Sequence, residues 1–145
     1  DTTPTSSVFT STGSWLGGDG NKIIAYCWTS IPGYSKMGGY TGNGSSDGPY
    51  IHLDFRPAWL LIKADLSESW YLYDNKRDID NAVDNEFRVD HEYVAGTFEI
   101  GDFLSNGFKI RATDSAANQN GSSYFYIAFA EQPGLTSFDT FPNAR

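Results

Sequence analysis

Sulfur and positive charge are scarce in this 145-residue chain, which has one cysteine, one methionine and two histidines. The lone Cys27 excludes an intrachain disulfide, and the apolar run around it predicts a buried thiol. His52 and His91 stand apart from each other and from the cysteine. No ligand set is therefore spaced for zinc, and both read as surface residues. Ten Lys and Arg face eighteen Asp and Glu, a net charge of −8. That balance argues against a nucleic-acid backbone or an anionic membrane as partner. No apolar run nears the roughly 20 residues of a membrane span, so no membrane insertion is expected. No signal-peptide pattern opens the chain. It starts without methionine on "DTTPTSS", which reads as a linker and predicts a fragment or processed product. Compact catalytic signatures are missing too. There is no Gly-x-Ser-x-Gly elbow, and the glycine-rich "TGNGSSDGP" lacks the Lys-Ser or Lys-Thr ending of a phosphate-cradling loop. Its acid, Asp47, would repel phosphate. No enzyme is expected.

What is present is aromatic and turn-rich. Aromatics make up 16% of the chain, and glycine occurs 15 times. This composition favours a β protein over a helical bundle. No segment holds helical spacing beyond about two turns. Strands are predicted over 8–12, 22–30, a short stretch after 34, 50–55, 57–64, 69–74, 96–103, 107–113, 122–131 and 137–141. Residues 22–30 and 57–64 are apolar on both faces, as in central strands. In 50–55, Ile51, Leu53 and Phe55 alternate with His52 and Asp54 on the opposite face. Asn106-Gly107 predicts a tight reversal. The polar stretch 75–88 has room for a short turn of helix. The fold expected is an all-β, antiparallel two-sheet β-sandwich of jelly-roll or concanavalin-like type.

The chain also repeats itself. "GNKIIAYCWTSIPG" at 20–33 and "GSSYFYIAFAEQPG" at 121–134 align without a gap at an offset of 101 residues. Ile24 falls on Phe125, Trp28 on Phe129, Met37 on Phe138 and Tyr40 on Phe141. Each copy reads as strand, loop, long strand, Pro-Gly, short strand. Two copies are too few for a solenoid. The pattern instead suggests one β domain over 1–145. Within it, 1–34 resembles the end of a preceding repeat, 35–134 is one full unit, and 135–145 is a C-terminal strand or tail. It predicts that 22–30 and 123–131 take equivalent, central, buried positions.

The motifs "YCWTSIPGYSKMGGYTGNGSSDGP", "FRPAWLLIKA", "FLSNGFKIRAT" and "YFYIAFAEQP" together resemble a repeat domain of tailed, mostly marine, bacteriophage structural proteins. The match spans most of 24–134. The resemblance implies a virion-surface protein, either a tail-fibre or receptor-binding part or a small capsid-decorating protein. It occurs beside lectin-like β-sandwich domains and assigns no catalytic residue. Its implied partners are other virion proteins, further copies of the chain (plausibly a trimer) and a host-surface glycan.

Two groups of side chains remain as ligand candidates. Eleven of the 18 acids lie between Asp65 and Asp102. Asp74, Asp78, Asp80 and Asp84 sit at the short spacings of oxygen-rich calcium loops, but without the EF-hand pattern. Calcium is thus the one candidate ion, against the plainer reading of a solvated acidic surface. None of these acids, nor Glu86, Asp90 or Glu92, sits in an apolar setting that would mark a general acid. Among the aromatics, Trp28 and Trp59 lie in apolar runs and read as core. Trp15 in its glycine-rich loop, Tyr40, Tyr50 and Trp70 are the candidates for stacking on a sugar or anchoring an interface. The rival to a contact protein is a carbohydrate-binding or polysaccharide-degrading module.

Overall fold

The computed structural model describes residues 5, 7–9, 24–92 and 95–131. The chain is all-β, and eight strands form one antiparallel sheet. They are β1 (Ser35–Thr41), β2 (Tyr50–His52), β3 (Pro57–Ala64), β4 (Trp70–Asp74), β5 (Val83–Arg88), β6 (Gly96–Leu104), β7 (Gly107–Ile110) and β8 (Ser123–Ala130). The order across the sheet is β1-β8-β3-β4-β5-β6-β7-β2. Strands β3 to β7 form a meander, and β8 returns to slot between β3 and β1.

The sheet curls until its ends nearly meet, like a barrel. The end strands β1 and β2 are consecutive in sequence, and Lys36 Nζ on β1 donates to His52 O on β2 at 2.9 Å. Inside, Phe108 of β7 meets Tyr126 of β8 at 5.4 Å and Tyr40 of β1 at 6.4 Å, both edge-on. The inner face of β1, β8, β3 and β4 alternates tyrosines with small residues. Gly38, Tyr126, Ile62 and Tyr71 lie in one row; Ala128, Leu60 and Tyr73 lie in the next. A Cβ at Gly38 would strike the Tyr126 ring, so the glycine makes room for the tyrosine. Each large inward side chain that leaves water contributes about 1.5–3 kcal/mol, which makes this row a main source of stability.

Buried hydroxyls in this interior are put to use. Tyr40 Oη donates to Ala117 O at 2.7 Å, and Tyr124 Oη donates to Ser115 O at 3.0 Å. The two rings stack at 4.9 Å. Asn118, fully buried, then fastens the glycine-rich 42–48 loop. Its Oδ1 accepts from Asn43 N, while its Nδ2 donates to Asn43 Oδ1, Ser45 O and Ala112 O.

Several expectations need correction. Residues 24–30 form no strand and lie exposed, so they are not equivalent to β8. Cys27 is exposed rather than buried, and Trp28 is surface rather than core. Trp59 is half-buried on the outer face, edge-on to Phe129 at 5.5 Å. The polar 75–88 stretch holds no helix and supplies β5. Its disguise is Glu86, which points inward and is 4% exposed. The corner between β6 and β7 is Ser105–Asn106, with Leu104 opposite Gly107. Glycine is needed at 107 for a different reason from the one expected: Ile51 O of β2 occupies the space of a Cβ. Val8 and Phe9 are not in a strand, and the rest of 8–12 and all of 137–141 lie outside the described residues.

Candidate functional site: an apolar cleft on the outer face

The sheet's outer face is apolar where β1, β8, β3 and β4 run together. Antiparallel register puts Met37, Ile127, Leu61, Leu72 and Phe87 in one row across five strands. The neighbouring row is Gly39, Phe125, Lys63 and Trp70. Residues opposite one another in register share a face, so the sequence pattern of four strands adds up to one patch. Gly39 offers no side chain beside Phe125, whose ring stays 42% exposed.

Residues 24–30 cross this patch as an extended arm. Tyr26 and Trp28 stack at 5.9 Å, the i, i+2 spacing of side chains on one edge of an extended chain. With Leu61, Trp70, Val89, Phe125 and Ile127 they line a cleft of about 510 Å³. A second cleft, about 890 Å³, shares Tyr26, Trp28 and Phe125 with the first and is also lined by Val8, Phe9 and Met37. The arm thus covers the face incompletely, with Tyr26 still 73% and Trp28 54% exposed. Trp70 is the sequence candidate that the structure brings to this site. Tyr26, Trp28 and Phe125 belong to it too. The missed signal was the alternation of bulky residues at 24, 26 and 28, read as one side of a buried strand.

The other candidates fall elsewhere. Tyr40 is inward, stacked on Tyr124, and burial pushes its hydroxyl far above the ordinary tyrosine range. Tyr50 lies on the end strand β2, and Trp15 lies outside the described residues. Tyr50 is instead the first member of a relay. Its hydroxyl lies 3.0 Å from His52 Nδ1, and His52 Nε2 lies 2.6 Å from Asp54 Oδ1. The alternation in 50–55 already placed these three on one face. Such a relay has general-base geometry. The imidazole and the carboxylate are, however, 51% and 68% exposed, where water weakens the electrostatics that such chemistry needs.

The acidic carboxylates serve the chain's own turns. Asp74 accepts from Lys76 N, Arg77 N and Arg77 Nε, each within 3 Å. Its burial would raise its pKa, but these Arg77 and Lys76 contacts prevail and lower it. Asp78, buried, accepts from Asp84 N, Asn85 N and Asn85 Nδ2. Asp84 accepts from Asn85 Nδ2, while Asp80 stands exposed. Among the described residues no three His, Cys, Asp or Glu side chains come together as a metal set. Inside the sheet, Glu86 Oε1 pairs with Arg88, while Glu86 Oε2 and Tyr73 Oη have no hydrogen-bond partner.

The chain is an antiparallel all-β domain whose outer face carries a half-covered aromatic patch. More particularly, the model of the family described as "Domain of unknown function (DUF7483)" matches residues 1–133, and the chain belongs to that family. No curated protein and no solved structure matches it.

Proposed function

We propose that the chain is a non-enzymatic surface module of a bacteriophage virion, in a tail fibre or a capsid decoration, which works by protein contact through the outer face. The observation that carries this is the lining of the smaller cleft: Tyr26, Trp28, Leu61, Trp70, Val89, Phe125 and Ile127, with no charge and no side-chain amide or carboxylate. Such a surface gains free energy by burying apolar area, as the core of a protein interface does. A sugar would require polar groups beside the stacking rings, and the lining offers only one phenol and two indole N–H groups. A virion subunit is therefore the preferred partner over a host glycan, and Trp and Tyr are the usual anchors of such contacts. The phage assignment rests on the motif resemblance. The finer jelly-roll description, with β1-β8-β3-β4 as one sheet and β5-β6-β7-β2 as the other, draws support from the narrow β4–β5 junction at Tyr71↔Arg88 and Leu72↔Phe87.

The test is binding of purified chain to virion particles that carry this family's domain, comparing wild type with Trp70→Ala. We expect Trp70→Ala to weaken binding by about 2 kcal/mol, the usual scale of an anchor residue. Unchanged binding would sink the contact reading. If wild-type protein also released reducing sugar from host polysaccharide, and His52→Ala abolished that release, the relay and not the cleft would be the functional site.

A further inference from the structure

We propose that the 24–30 arm is exchanged between copies of this chain, each arm lying on the outer face of a second copy. The inference deepens the contact reading above, on which it rests, by naming the partner.

Four observations lead there. First, the arm's fit to this face is already visible, because Tyr26 and Trp28 wall a cleft whose floor is Phe125, Leu61 and Ile127. Exchange repeats that contact between copies without inventing a new one, the usual low-cost route to a dimer. Second, the described residues hold the arm weakly. Among the described residues its hydrogen bonds gather at its root, where Ser35 Oγ donates to Thr29 O and Met37 N donates to Ser30 Oγ, both at 3.1 Å. Beyond the root it pairs with no strand among the described residues, and Ile24 is 80% exposed. The root itself is firm. Ile31 and Ser35 exchange two backbone hydrogen bonds of 2.9 Å around the Pro32-Gly33 turn, so the arm pivots from a fixed point.

Third, there is room. Clefts of about 510 and 890 Å³ lie against the arm. Seven extended residues reach about 23 Å, while two facing sheets pack about 10 Å apart, so an arm can cross to an opposed copy. Fourth, charge permits it. The chain carries −8, so two copies repel each other overall. The smaller cleft has no charged lining residue, so two copies can meet there without that repulsion.

The experiment uses the full chain and its single cysteine as a reporter. Cys27 and Phe125 line the same cleft, so Phe125→Cys places a second thiol beside the arm. After mild oxidation, arm exchange predicts a covalent dimer on a non-reducing gel. The parental chain, with Cys27 alone, controls for Cys27–Cys27 links. A link confined to one chain, seen as a monomer of altered mobility, overturns the proposal. Sedimentation decides independently of cross-linking. Wild type should self-associate with concentration, and Trp28→Ala should weaken that at least tenfold. A wild type that stays monomeric, or a dimer indifferent to Trp28→Ala, overturns the exchange. Either result leaves the wider contact reading to be judged by the particle assay with Trp70→Ala.

Discussion

β8 and the arm carry the same chemical pattern 101 residues apart and end in opposite environments. β8 is sandwiched between β1 and β3. The arm pairs with no strand among the described residues. Tyr26 is 73% exposed, and its counterpart Ile127 is 2% exposed. The bulky residues that repeat, at 24, 26 and 28 and at 125, 127 and 129, all belong to one side of the strand. On the other side the copies diverge. β8 presents Tyr124, Tyr126 and Ala128 to the interior, where the two rings fill space and Tyr124 bonds the 115–119 loop. At the matching positions the chain has Ile23, Ala25 and Cys27. Ala25, which matches Tyr126, is too small to fill the volume that this ring of β8 occupies. A strand becomes central by filling the space behind it, and apolar character alone does not secure that.

The sharpest way to break this comparison is to place the same charge at matched positions. Ala128→Asp puts a carboxylate in the interior and should cost more than about 4 kcal/mol in urea unfolding. Cys27→Asp, at the matching exposed site, should stay within about 0.5 kcal/mol. Comparable losses would show that the arm is as structural as β8.

Asn118 anchors the loop that leads into β8, and its counterpart before the arm is Gly17. Asn118→Ala would leave Ala112 O and Asn43 N without their partners. A loss of about 3 kcal/mol is expected, again by urea unfolding. A loss below about 1 kcal/mol would mean that the anchor does not distinguish the two copies.

Alkaline titration sharpens the contrast between inside and outside. Burial raises the pKa of Tyr40, Tyr71, Tyr73, Tyr124 and Tyr126 above the ordinary value of 10.0. A raised folded-state pKa gives stability that is complete below pH 10 and fades as pH climbs through the folded value. Absorbance of tyrosinate should therefore show a late class of tyrosines that ionises together with unfolding. Independent, early ionisation of all nine would contradict the interior described above.

A small effect of the opposite sign is expected at Tyr73→Phe. It removes a buried hydroxyl without a partner, so stability should hold or rise by up to about 1 kcal/mol. A clear loss in thermal unfolding would reveal a hydrogen bond made by that group.

Much of the fold was legible in the residues. The runs at 57–64, 69–74, 96–103 and 122–131 each became a strand within a residue or two, because their branched and aromatic side chains suit a pleated surface. β5 was not legible. Its inward acid, Glu86, breaks the expected alternation, and its pairing with Arg88 two residues along the same strand helps to explain how it is tolerated. The site was partly legible. Trp70 was named, whereas Tyr26 and Trp28 were assigned to the core. The relay at Tyr50, His52 and Asp54 followed from alternation but went unread, since His52 was taken to stand alone.

The sequence by itself determined the class: all-β, acidic, free of intrachain disulfides, with strand-forming runs and turns in nearly the right places. These are local properties, set by side-chain shape and composition over a few residues. The tertiary structure decided which copy of the repeated pattern went inside, that Tyr40 faces the interior, that Glu86 is buried, and that Gly107 must yield to the carbonyl of Ile51. Those outcomes depend on strands far apart in the chain, because β pairing and core filling are settled between neighbours in space, whose identity no local pattern carries.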